Sequence, residues 1–86
     1  DLSQATLFKV RARHARLDKT DLNRTNCQGL NLFQGSLRKA DLRDTDLSRT
    51  NLFGVNFLGA MIKGANFDTA NLKRTLLDPE VEHRLG

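Results

Sequence analysis

The sequence is poor in the residues that most often carry covalent or metal chemistry. Among its 86 residues there is one cysteine, Cys27, and there is no tryptophan or tyrosine. A single cysteine excludes an internal disulfide and a cysteine-based zinc site. No apolar run approaches the ~20 residues that a membrane-spanning helix needs, and no signal-peptide pattern is present. We therefore predict no membrane span, and the lone cysteine favours a reducing, cytoplasmic setting.

Catalytic constellations are also missing. His14 and His83 lie far apart in the sequence, without the partners that a triad or a metal site requires. There is no glycine-rich phosphate loop. The net charge is +4, from 14 basic and 10 acidic residues, so only the placement of the charges bears on partners. The sequence predicts a protein that is not an enzyme and that carries no cofactor and no metal.

What the sequence does contain is an apolar residue at every fifth position. The frame runs without an insertion, and all its members except one alanine are large apolar residues or cysteine. They are Leu2, Leu7, Ala12, Leu17, Leu22, Cys27, Leu32, Leu37, Leu42, Leu47, Leu52, Phe57, Ile62, Phe67, Leu72 and Leu77. The residue just before is mostly Asp or Asn, and the residue two places before is mostly small or β-branched. A period of five matches neither a helix nor a strand, and it predicts a chain that turns a corner every five residues around a closed core.

This pattern resembles the pentapeptide-repeat family, whose motif is A-(D/N)-L-x-x. Close copies are Ala40-Asp41-Leu42, Ala65-Asn66-Phe67 and Ala70-Asn71-Leu72. The resemblance implies an all-β fold, a right-handed quadrilateral β-helix with four pentapeptides per coil. Residues 1–79 would then form about four coils, which stack at the ~4.8 Å spacing of β-strands.

The two ends of the repeat tract depart from the pattern. Arg11 and Arg16 replace Asp or Asn, and Ala12 occupies a core position, so the first coil should be the weakest. Residues 80–86 leave the repeat after Pro79, which has no N–H to donate. Val81 and Leu85 would share one face of a short helix that caps the last coil. Without this cap, we expect association through the open coil end.

A coil of 20 residues places residues that are 20 apart on the same face. The third face, residues 10–14, 30–34, 50–54 and 70–74, carries a charge of +4 and no acidic residue. Phe33 and Phe53 stack there and should point outward. The candidate binding face therefore consists of Arg11, Arg13, Phe33, Phe53, Lys73 and Arg74.

Other features of the repeat have ordinary structural explanations. Asp1, Asp21 and Asp41 form a column on the first face, residues 1–4, 20–24, 40–44 and 60–64, that nearby basic residues can neutralise. We interpret this column and the asparagines of the third face as structural. Cys27 at a core position should behave as a small buried hydrophobe.

The sequence is compatible with three functions. The first is a binding or scaffolding module that presents a rigid surface to a protein partner or to a second copy. The family also includes proteins that bind DNA gyrase or topoisomerase by imitating DNA, but an imitator needs an acidic surface. Basic residues beside aromatic rings also suit single-stranded nucleic acid, although the charge is modest. A protein partner is favoured, and the stacked phenylalanines could also serve coil packing alone.

Overall fold

The computed structural model describes residues 6–78, in which the chain turns a corner every five residues. This range contains no helix and no continuous strand. Instead, one residue of each pentapeptide forms a single parallel β-bridge to the residue 20 positions further along. The bridges are Thr6–Asn26, Arg11–Asn31, Arg16–Ser36, Asp21–Asp41, Asn26–Asp46, Asn31–Asn51, Ser36–Asn56, Asp41–Met61, Asp46–Asn66, Asn51–Asn71 and Asn56–Leu76. The coil of 20 residues that the sequence predicts is confirmed.

Backbone hydrogen bonds join each coil to the next in the manner of a parallel sheet. The N–H of Leu32 donates to the carbonyl of Asn51 at 2.9 Å, and the N–H of Asn51 donates back to the carbonyl of Leu30 at 2.9 Å. The same exchange recurs on all four faces, because the period of five divides the coil of 20 evenly. The repeat therefore satisfies the backbone polar groups of the walls without any long strand.

Each corner is a tight turn that begins at the large core residue. At one of them the N–H of Gly35 donates to the carbonyl of Leu32 at 2.8 Å, and Gln34 between them has a φ of +55°. A positive φ only at the third residue is the signature of a type II turn. Glycine occupies this position at Gly29, Gly54, Gly59 and Gly64, but ten residues of other types also adopt the positive φ. They are Lys9, His14, Lys19, Arg24, Gln34, Lys39, Asp44, Arg49, Thr69 and Arg74.

The interior is filled by the large frame residues and by the small residues two places before them. Every frame residue from Leu22 to Phe57 is at most 1% exposed. Buried threonines such as Thr45 are hydrogen-bonded to the backbone. The hydroxyl of Thr45 donates to the carbonyl of Leu22 at 2.6 Å. Gly35 is small by necessity, because a Cβ there would lie 2.7 Å from the carbonyl oxygen of Ala15. The predicted core is confirmed within the described residues.

Burial weakens toward both ends of the described range. Leu7, Ala12 and Leu17 are only half-buried, and so are Phe67, Leu72 and Leu77. The predicted special weakness of the first coil is therefore not distinguished from an effect of either end. Val10, which stands two places before the frame residue Ala12, is 37% exposed, unlike the buried Leu30 of the next coil. Asp1, Pro79 and the proposed cap at residues 80–86 lie outside the described residues.

Candidate binding face

The structure stacks the third face in the register that the sequence predicts. The bridges Arg11–Asn31, Asn31–Asn51 and Asn51–Asn71 bring its four segments together as adjacent rungs. All the charged residues of these segments are basic. The face is therefore one continuous surface, without a carboxylate to neutralise its cations.

The asparagines of this face hold the backbone of the neighbouring corner. The side-chain oxygens of Asn31 and Asn51 accept the N–H groups of Phe33 and Phe53 at 3.1 and 3.2 Å. Such Asx turns fix the backbone two residues after the asparagine. The predicted structural role of the asparagines is thus seen, with bonds inside each turn. Because the turn follows, the phenylalanines lie at the corner between the third and fourth faces.

The corner carries an ordered aromatic stack. The rings of Phe33 and Phe53 are parallel within 10°, with centroids 5.2 Å apart. His14 meets Phe33 edge-on at 5.9 Å, and the guanidinium carbon of Arg13 lies 5.0 Å from the centroid of Phe33. We call the column of Arg13, Phe33, Phe53 and Lys73 the aromatic corner. Both phenylalanines are half-buried rather than fully exposed, since each ring shields its neighbours at the coil spacing.

The basic residues of the face occupy its two ends. Arg11 and Arg13 belong to the first described coil, and Lys73 and Arg74 belong to the last, and all four are exposed. Of these four, Arg13 is the one with a ring contact to the aromatic stack within residues 6–78. The two middle rungs between the ends are neutral and aromatic. The structure thus brings the predicted residues onto one surface, but it separates their charges into two groups.

The first face shows the opposite arrangement, because its charges pair with one another. The carboxylate of Asp41 accepts hydrogen bonds from the side chain of Arg43 at 2.7 and 2.9 Å and from its N–H at 3.1 Å. These bonds lower the pKa of Asp41 below its usual value. Arg43 makes the salt bridge found among the described residues. Neutralisation of the aspartate column is therefore seen at one rung.

Two further sites were not predicted from the sequence. Asp18 reaches into the next coil, where it accepts the hydroxyl of Ser36 and the N–H of Arg38, the latter at 3.0 Å. The bond from Ser36, above all, lowers the pKa of Asp18. The only signal in the sequence is that Ser36 stands where Asp or Asn is usual. The second face, residues 5–9, 25–29, 45–49 and 65–69, has a shallow hollow of about 290 Å³ beside Asp46.

Two groups that could support catalysis, Cys27 and Asp46, are buried or already bonded. Cys27 is fully buried, and burial raises the pKa of its thiol to about 12. The carboxylate of Asp46 accepts bonds from Gln28 at 2.6 Å and from Ser48 at 2.7 Å, and these bonds lower its pKa. Within residues 6–78 no group of histidine, cysteine and acidic side chains has the arrangement of a metal site. The same range has no helix long and apolar enough to cross a membrane.

Comparison with protein families identifies the class of this fold. The model for pentapeptide repeats (8 copies) matches residues 1–38 and 36–74. These matches cover most of the sequence, so the chain belongs to the pentapeptide-repeat family. Membership of the family implies a right-handed coil. A comparison with curated proteins found no match.

Among solved pentapeptide-repeat structures, HetL shares the fold. HetL, a pentapeptide repeat protein involved in heterocyst differentiation regulation in the cyanobacterium Nostoc, is 24% identical with a TM-score of 0.52, over 84% of this chain and 38% of HetL. QnrB1, a plasmid-mediated fluoroquinolone resistance protein, is 19% identical with a TM-score of 0.48, over 100% of this chain and 65% of QnrB1. Rfr23 from the cyanobacterium Cyanothece is 24% identical with a TM-score of 0.35, over 85% of this chain and 80% of Rfr23. The present chain thus spans less than two thirds of the first two proteins.

Proposed function

We propose that this protein is a binding module without catalytic activity, which presents its third face to a protein partner. The observation that carries the proposal is the aromatic corner, where stacked rings lie between two groups of exposed basic residues that form no salt bridge within residues 6–78. Aromatic residues and arginine are enriched in the centres of protein interfaces, whereas aspartate and glutamate are depleted there. Membership of the pentapeptide-repeat family supports a structural or binding role over an enzymatic one.

The rigidity of the corner strengthens the proposal. Phe33 and Phe53 are held by Asx turns, by their mutual stacking, and by carbonyls that accept the N–H groups of His14 and Gln34 in the preceding coil. A surface that is already ordered loses little conformational entropy when a partner binds. The alternative, in which the rings serve only coil packing, does not explain why the four segments of the third face contain no acidic residue.

The two alternative functions receive less support. A protein that imitates DNA needs an acidic surface, whereas this chain has a net charge of +4. Single-stranded nucleic acid binds through bases that stack on free ring faces. Phe33 offers no free face, because Arg13 lies over one side and Phe53 stacks on the other.

The test removes the two rings and compares partner capture. We expect the variant Phe33→Ser/Phe53→Ser to remain folded and to lose most of the proteins that the immobilised wild type retains, measured by quantitative mass spectrometry. Phe8→Ser is the matched control, since Phe8 has the same place in the repeat at another corner and is 49% exposed. If the double variant retains the same proteins as the wild type, the third face is not the binding surface. Sedimentation of both proteins shows whether the partner is a second copy.

A further inference from the structure

We infer that the segment recognised by the third face is an extended acidic peptide that lies along the aromatic corner. This inference rests on the proposed function and adds the chemistry of the partner. The segment should carry two carboxylates four residues apart, with an apolar residue midway between them.

Charge around the corner supports an anionic partner. The column on one side of the corner contains Arg11 followed by three asparagines, and the column on the other side contains Arg16, Ser36, Asn56 and Leu76. Together with the corner these columns form a strip, residues 10–16, 30–36, 50–56 and 70–76. The strip contains five basic residues and no acidic residue. A carboxylate that approaches the strip is therefore attracted at both ends, and it meets repulsion at the edge where the carboxylate of Asp18 bonds to Ser36.

The spacing of the cations selects the spacing of the carboxylates. Arg13 and Lys73 are three coil steps apart, which is roughly 14 Å at the strand spacing. In an extended peptide, residues i and i+4 point to the same side and are roughly 13 Å apart. A peptide with acidic residues at these positions therefore reaches both cations without bending.

The rings between the two cations favour an apolar residue at the middle position of the peptide. Residue i+2 points to the same side as the two acidic residues and falls near the midpoint, beside Phe33 and Phe53. Gly54 has no side chain to cover Phe53, and a Cβ there would already lie 3.1 Å from Gln34. Both rings are only half-buried, so they leave apolar surface for such a side chain, although Arg13 and Phe53 already contact Phe33.

The experiment is a titration of the ¹⁵N-labelled protein, followed by amide chemical shifts. The probes are three capped peptides: Glu-Ser-Leu-Ser-Glu, the same composition with adjacent acids (Ser-Leu-Glu-Glu-Ser), and Gln-Ser-Leu-Ser-Gln. We expect shifts centred on residues 13, 33, 53 and 73, with the first peptide about threefold to tenfold tighter than the second. The glutamine peptide should bind more weakly than both. Equal affinity for the three peptides, or shifts on another face, would overturn the inference.

A pair of matched variants isolates the charge of the strip. Asn51→Asp adds one negative charge to the strip and keeps the turn, because Asp41 and Asp46 accept the same backbone bond elsewhere. Asn66→Asp makes the same change on the second face, where Asn66 caps its own turn at 2.9 Å. We expect the first variant to weaken binding of Glu-Ser-Leu-Ser-Glu about twofold to fivefold and the second to leave it unchanged. Equal effects of the two variants would contradict a specific role of the strip.

Two outcomes separate this inference from the proposed function. If no acidic peptide binds but Phe33→Ser/Phe53→Ser still loses its protein partners, only the acidic chemistry is wrong. If the peptides fail and the double variant also keeps its partners, both proposals fail. An eight-residue oligothymidylate that binds the corner more tightly than the peptides would overturn the inference in favour of nucleic acid.

Discussion

The first and third faces lie on opposite sides of one core and share one backbone design. Leu42 beneath the first face and Leu52 beneath the third are both completely buried. Asp41 and Asn51 both accept the N–H two residues later, at 3.1 and 3.2 Å. The exteriors differ, because the first face pairs Asp41 with Arg43, whereas the basic residues of the third face form no salt bridge within residues 6–78 and lie beside stacked rings. The repeat thus requires the inner residues and the turn caps, and it leaves the corner residues free to diverge for binding.

The largest effect should come from the shared interior. We expect Leu42→Ala and Leu52→Ala each to lower the free energy of unfolding by about 4–5 kcal/mol, because a buried leucine leaves a cavity that the ladder cannot close. Leu17→Ala, at a half-buried position in the first described coil, should cost clearly less. Urea unfolding followed by circular dichroism measures all three. A large difference between Leu42→Ala and Leu52→Ala would show that the two faces do not share one core.

The next largest change in stability should come from the outward-facing side chains at the corners of the third and first faces. Phe33→Ser/Phe53→Ser should destabilise the fold by about 1–3 kcal/mol, because it removes a half-buried stacked pair. Arg43→Ser, at the equivalent corner position of the first face, should destabilise the fold less than the double variant does, because an exposed ion pair contributes little. Thermal unfolding of both variants tests the difference. Equal costs would indicate that the aromatic stack is no more than ordinary surface.

Substitutions at the positive-φ corner positions should change the free energy of unfolding by smaller amounts, and the sign should depend on whether the native residue is glycine. Gly54 on the third face has a φ of +70°, so Gly54→Ala should cost about 1 kcal/mol. Asp44 on the first face has a φ of +58° although it is not glycine. Asp44→Gly should therefore raise the free energy of unfolding by a few tenths of a kcal/mol, which is what remains after the larger entropy loss of glycine on folding is subtracted. The shifts in melting temperature measure both. A stabilising Gly54→Ala would show that the turns do not impose the left-handed conformation.

The smallest effect is a difference in acid sensitivity. Hydrogen bonds from Arg43 lower the pKa of folded Asp41, so its contribution is present above the unfolded pKa of about 3.9 and disappears as the pH falls through the folded pKa. Asp41→Asn should therefore be less stable than the wild type at neutral pH, by under about 1 kcal/mol, and equally stable in strong acid. Urea midpoints across this pH range provide the test. A constant difference at every pH would assign the effect to something other than ionisation.

The sequence predicts the interior far better than the corners. Leu42 and Leu52 could be placed because burial follows directly from the period of five, and the coil of 20 came with the family resemblance. The left-handed corners could not be predicted, because Lys39 or Thr69 gives no sign of a positive φ, and the ladder imposes it. The half-burial of Phe33 depends on Arg13 and Phe53, which approach it only when the coils stack.

The most direct test of the account compares the two faces by cross-linking. Gln34→Cys and Arg24→Cys place a thiol at the same exposed corner position, on the third and first face respectively. A maleimide-linked benzophenone should label each new cysteine and spare Cys27, because burial raises the pKa of that thiol to about 12. After illumination in an extract of the cells that express the protein, we predict cross-linked partner from position 34 and little or none from position 24. Equal cross-linking from both positions, or more from position 24, would contradict the assignment of the third face as the binding surface.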